Sequence, residues 1–86
     1  MKTVRNLIGP TIRRIRCQQL VSQACLAEKC QRLGWSISRD IVAAIEGQRR
    51  QMTEIELVVM AKALNMSPEE LLPTLKDAVR VVAQKT

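Results

Sequence analysis

The sequence predicts an all-α domain of five to six short helices. Apolar residues recur at three- and four-residue spacing in separate short blocks, as in Ile8, Ile12 and Ile15, or Val42 and Ile45 with Ile41 flanking them. A serine or threonine stands at the head of most blocks, namely Ser22, Ser38, Thr53 and Ser67, where a hydroxyl can accept an orphan first-turn amide. The three glycines and three prolines punctuate these blocks, and no stretch alternates apolar and polar residues as a half-buried strand would.

Residues 1–6 form a short polar lead. The first helix is expected to start between Asn6 and Pro10, with Pro10 in its first turn, where its missing N–H costs nothing. It carries the Ile8/Ile12/Ile15 stripe, ringed by Arg13, Arg14 and Arg16, and fades around residues 18–20. Ser22 caps a second helix with Leu26, Cys30 and Leu33 as its stripe and Ala27 as a small contact, and Gly34 ends it. Trp35-Ser36-Ile37 leads to Ser38, the cap of a third helix over 39–46 that leaves Arg39, Asp40, Ala43 and Ala44 on its outer side. Gly47 is expected to stop that helix, since glycine tolerates the left-handed conformation.

A basic loop, 47–52, precedes a capping box of Thr53 and Glu56. The fourth helix then buries Leu57, Met60, Ala61 and Leu64, and Asn65 is its left-handed stop. Ser67-Pro68-Glu69-Glu70 is a second capping box, with proline at the first helical position. Pro73 ends or kinks this short helix, because its ring removes a donor and clashes one turn back. A last helix over 74–84 carries Leu75, Val79 and Val82 along one side. The chain is thus divided into a domain over 1–72 and a C-terminal helix within 73–86.

Eighty-six residues with 47% hydrophobic composition suit one small folded domain. No apolar run reaches the length of a membrane span, and the N-terminus lacks the apolar core of a secretory signal. Charge is lopsided: residues 1–50 hold ten Lys/Arg and three acids, a net of +7, whereas 51–86 hold four and five, a net of −1. A basic half attracts a polyanion such as nucleic acid. With one tryptophan and no Tyr or Phe, stacking on single-stranded bases is disfavoured. Cys17, Cys25 and Cys30 have no metal-ligand spacing and the chain has no histidine, so neither metal nor cofactor is expected. Their odd number, without a signal, points to reduced thiols in the cytoplasm. Without histidine, a glycine-rich phosphate loop, or a carboxylate pair beside a nucleophile, an enzyme is not expected.

Taken together, Ile8-Gly9-Pro10-Thr11-Ile12-Arg13, Ser22-Gln23-x-x-Leu26-Ala27, Ile45-Glu46, Glu56-Leu57 and Ala61-Lys62-Ala63-Leu64 resemble, in order and spacing, the phage repressor and Cro-like helix-turn-helix domains. The resemblance covers about 65 residues. It implies a lambda-repressor-like bundle whose second and third helices form the helix-turn-helix, with the third entering the major groove. By the same resemblance Gln23 approaches a phosphate; Ser38, Arg39 and Asp40 open the base-facing side; Ala43 and Ala44 lie further along it; and Arg49 and Arg50 run beside the backbone. Arg16 and Glu46 match a buried structural salt bridge. Three features depart from the family pattern. The span from Gln23 to Arg39 is long; Gly47 follows Glu46 directly, which leaves Gln48 to take the left-handed position at some strain; and Ala43 and Ala44 are poor readers of base edges.

Each site residue has a plainer alternative. Arg39 either grips guanine O6 and N7 or is a solvated first-turn arginine. Asp40 either accepts from cytosine N4 or favours its own helix N-terminus and pairs with Arg39. Arg13, Arg14, Arg49 and Arg50 face phosphates or simply solvent. Ala43 and Ala44 can touch a thymine methyl but donate nothing. The Leu75/Val79/Val82 stripe either folds back on its own core or meets a second copy, and a homodimer placing two recognition helices one DNA turn apart is the favoured arrangement. The expected function is a sequence-specific, double-stranded-DNA-binding transcriptional regulator of the repressor kind. The rival is an antitoxin-like or accessory module on the same fold, with a protein partner.

Overall fold

A computed structural model of the protein describes the backbone of residues 4–71 and the side chains of 8–71. Its elements, all helical, are α1 (Val4–Gln18), α2 (Gln23–Arg32), α3 (Arg39–Glu46), α4 (Glu54–Ala63) and α5 (Pro68–Leu71). α3 packs on α1 and α2, α4 on α2, and α5 on α4 and α1. The core between them is aliphatic. Ile12, Leu26, Ile37, Val42, Met60, Leu64 and Leu71 are fully buried, and half-buried Trp35 packs against the cluster. The expected helix over 74–84, and with it Leu75, Val79 and Val82, lies outside the described residues.

The starts of α2, α3 and α4 follow their caps. Ser22 Oγ accepts from the Cys25 amide at 3.0 Å, Ser38 Oγ from Ile41 at 3.2 Å, and Thr53 Oγ1 from Glu56 at 3.2 Å, with Glu56 accepting in return from the Thr53 amide at 3.0 Å. Ile37 and Val42 straddle the α3 cap and are both fully buried, the positions of a hydrophobic staple. Gln31 adds a lock on the long turn, its Nε2 donating to the Ile37 carbonyl at 2.7 Å.

α1 begins earlier than the sequence suggests, so Pro10 lies inside the helix rather than in its first turn. Ile8 and Gly9 must already be helical to face the core and α3, and this packing outweighs the single hydrogen bond that proline forfeits. Leu33 also differs, since as the C-cap of α2 it is 39% exposed instead of continuing the stripe.

All of α1 to α4 close in one way. The residue two beyond each cap donates back into the last turn: Val21 to Arg16, Trp35 to Cys30, Arg49 to Ala44 and Met66 to Ala61. The intervening residue is left-handed, with φ of 59° at Leu20, 97° at Gly34, 64° at Gln48 and 59° at Asn65. Gly47 is not the left-handed stop; its φ is −84°, and Gln48 takes that role. The motif counts from the last helical residue, which sets the left-handed position one place beyond the glycine.

The thiols span a gradient: Cys17 is exposed, Cys25 half-buried and Cys30 buried, all three free. Burial pushes the Cys30 thiol up to about 11 from an ordinary 9.0. The unfolded chain would therefore release this proton first, and stability should fall as pH rises between those two values, being fully retained below 9.0. Urea midpoints measured across that window should decline more steeply for the wild type than for Cys30→Ala. In the native protein a thiol reagent should label Cys17 first, and Cys30 only on unfolding.

Candidate nucleic-acid interface

α3 is short and amphipathic, and its cap Ser38 and first residues, Arg39 and Asp40, are exposed. Arg39 is the first residue after the cap, its side chain 65% exposed, with Nη1 3.6 Å from the exposed Asp40 carboxylate. A solvent-screened pair of that length leaves the guanidinium available. One turn on, Ala43 is half-buried, as is Ala44, and Gly47 follows at the next turn. Arg39, Ala43 and Gly47 form one wall of an open cleft of about 640 Å³. The cleft is also lined by Arg13 of α1, by Ser22, Gln23 and Ala24 at the start of α2, and by Arg49 from the loop after α3.

Beneath the cleft lies an ion pair that spans thirty residues. Arg16 Nε donates to Glu46 Oε2 at 2.6 Å and Nη2 to Oε1 at 3.0 Å, with side chains 12% and 3% exposed. Arg16 Nη1 also donates to the Val21 carbonyl at 2.8 Å, so one guanidinium ties α1, α3 and the α1–α2 turn together. The hydrogen bonds to Glu46 raise the Arg16 pKa above its ordinary value, against the opposing effect of burial. Gln23 Nε2 donates to Glu46 Oε1 at 3.0 Å. This glutamine therefore orients the pair with one of its two Nε2 hydrogens, and the other remains available beside the backbone of the α2 N-terminus.

The sequence-derived candidates are thus divided. Arg13, Gln23, Arg39, Ala43 and Arg49 meet at one cleft. Ser38 serves as cap at its edge. Arg14 is exposed and does not line it. Arg50 is half-buried and turned toward α4, its Nη2 donating to Glu56 Oε2 at 3.2 Å, while its Nη1 is buried without a hydrogen-bond partner. Because the Arg16 charge is met by Glu46, the cleft's other cations are Arg13, Arg49 and Arg39, the last in a solvent-exposed 3.6 Å pair with Asp40. Three guanidiniums lining one cleft with the first turn of a ten-residue helix suit a run of phosphates. Among the described residues no group of three His, Cys, Asp or Glu is placed to hold a metal ion, and no helix is long and apolar enough to cross a membrane.

Two tertiary residues are not singled out by the sequence. Gly9 sits where α1 crosses the end of α3, and a Cβ there would stand 2.2 Å from the Ile45 carbonyl oxygen. A glycine inside a helical pattern is the signal that could have exposed it. Gln19 donates through Nε2 to the Leu64 carbonyl at 2.8 Å, tying α1 to the end of α4; nothing local marks it.

No family model matches the chain, and neither does any curated protein. A solved structure does: the restriction-modification controller protein C.AhdI from Aeromonas hydrophila, with a TM-score of 0.68 and 26% identity, covering 77% of this chain and 88% of that one. The fold is a helix-turn-helix bundle. Within it α2 and α3 pack on each other, and the cleft lined by Arg39 and Ala43 lies at their junction. The likeness supports a DNA-binding regulator.

Proposed function

We propose that the protein is a sequence-specific double-stranded-DNA-binding transcriptional regulator that acts as a homodimer, without chemistry or cofactor. The carrying observation is the basic cleft at the junction of α2 and α3, with exposed Arg39 on the outer wall of a capped helix. In this reading α3 enters the major groove, Arg39 meets a guanine edge, and Ala43 comes close enough to touch a thymine methyl. Arg13, Arg49 and the α2 N-terminus hold phosphates, while Gln23 and the Arg16–Glu46 pair keep α3 at its angle. The likeness to a controller protein supports the regulatory role. Repression is the simplest outcome, since a bound dimer occludes its site.

A titration of salt on selected and scrambled duplexes tests this. Affinity should fall steeply with salt, because phosphate neutralisation releases counterions. Arg49→Ala should weaken all duplexes alike and flatten that slope. Arg39→Ala should cost ~1–3 kcal/mol on the selected duplex and relax preference at one base pair. If selected duplexes bind no better than scrambled ones and Arg39→Ala changes nothing, the reading fails. The half-buried, hydrogen-bond-poor Ala43 and Ala44 favour a second reading, a protein-interaction module of antitoxin or accessory kind, which that failure would bring forward.

A further inference from the structure

The backbone gives no reason for a glycine at position 47. Its φ of −84° and ψ of 6° match those of the corresponding caps of α2 and α4, which are leucines: −90° and 3° at Leu33, −87° and 3° at Leu64. What the position needs is space. A Cβ there would stand 3.0 Å from Arg49 Nη1 and 3.5 Å from its Cζ, so the guanidinium lies where a side chain at 47 would project. The third neighbour, the Ala43 carbonyl oxygen at 3.2 Å, is the one that accepts the Gly47 amide from a turn back along the helix.

The chain around it explains how Arg49 reaches this place. Gln48, with φ of 64°, reverses the backbone after α3, and the amides of Arg49 and Arg50 then both donate to the Ala44 carbonyl, at 2.8 and 3.2 Å. The loop is thereby pinned to the last turn of α3. From that anchor the two arginines part. Arg50 is held by Glu56, whereas among the described residues no carboxylate pairs with Arg49. Its guanidinium comes back over Gly47, on the cleft that Arg39 and Ala43 also line. The carbonyl end of a helix favours a cation at such a place.

We infer that Gly47 is a positioning residue for DNA binding: the side chain it lacks leaves a seat that holds the Arg49 guanidinium against the end of α3, aimed into the cleft before any phosphate arrives. The inference rests on the reading of this cleft as the DNA interface. A long side chain ordered in advance need not be ordered on binding, an advantage of about two- to tenfold in affinity.

Gly47→Ala, Arg49→Ala and the double variant test this on the selected duplex. Gly47→Ala should fold as the wild type does, with the same helical circular dichroism and no lower urea midpoint, because only the far end of a flexible side chain has to move. It should bind about two- to tenfold more weakly. In the Arg49→Ala background the same change should cost nothing. In the free protein, nitrogen relaxation should show the Arg49 side-chain Nε–H restricted with glycine at 47 and mobile with alanine. Unchanged affinity in Gly47→Ala would overturn the inference. An equal loss with and without Arg49 would overturn it in favour of a methyl that itself meets the duplex. An Nε–H equally mobile in both proteins would overturn the seat. If the wild type binds no duplex the DNA reading falls, whereas the relaxation comparison, which needs no DNA, still decides the seat.

Discussion

Glu46→Ala is expected to remove about 3–5 kcal/mol of folding stability, the largest loss of any single acidic position in the domain. The Glu46 side chain is only 3% exposed, and its carboxylate accepts from Arg16 Nε, Arg16 Nη2 and Gln23 Nε2. Truncation strands a guanidinium that is itself largely buried and leaves the Gln23 amide without its acceptor. A domain of this length typically has ~4–13 kcal/mol in total, so the variant would be close to unfolding at ambient temperature. Urea denaturation alongside Glu69→Ala, an exposed acid, gives the comparison. Equal losses for the two would refute the structural role of the pair. Replacing both partners together, as Arg16→Met/Glu46→Leu, should cost less than Glu46→Ala alone, because no charge is then left behind. Such a double variant also separates stability from function: it should fold, yet hold α3 less firmly and bind DNA more weakly.

Gly9→Ala is the second large effect, and here two principles oppose each other. Inside a helix alanine is favoured over glycine by ~0.5–1 kcal/mol. Against that, the new Cβ would lie 2.2 Å from the Ile45 carbonyl oxygen and 3.1 Å from that of Glu46. Both obstacles are backbone, so no side chain can rotate away. The steric term should win, with a net loss of ~1–3 kcal/mol from overpacking at the α1–α3 crossing. Since α3 must slide to relieve the contact, the variant should also bind selected duplexes more weakly even where it remains folded. Thermal melts together with DNA titration would show this; a Gly9→Ala protein as stable as the wild type would mean that the close approach of α1 and α3 is not maintained in solution.

Helix starts were the most legible part of the structure. Ser22, Ser38 and Thr53 each accept the amide their spacing implied, because a cap is a contact among residues three apart. The buried sides of α1 and α3 were legible for the same reason, Ile8, Ile12 and Ile15 being near neighbours on one helical face, as are Val42 and Ile45. The start of α1 was not legible, since the preference of proline for a first turn is local and the demand that Ile8 and Gly9 be helical comes from α3. After α3 the local reading of Gly47 as the stop fails, whereas the family spacing, which leaves the left-handed position to Gln48, holds, because the closing bond is counted from the last helical residue.

At the candidate site, residue types and their order along the chain were open to reading, but their allegiances were not. Arg49 and Arg50 are adjacent in a basic loop, yet one lines the cleft and the other turns to Glu56. Gln23 donates to Glu46, twenty-three residues away, a partner no local rule selects. The sequence by itself therefore determined the helices, their caps and the basic character of the first half, all set by contacts within about one turn. Only the tertiary structure decided which cations line the cleft, why position 9 must lack a side chain, and which residues of α4 stay exposed. Those depend on how close two helices approach and at what angle, a consequence of packing the whole core at once.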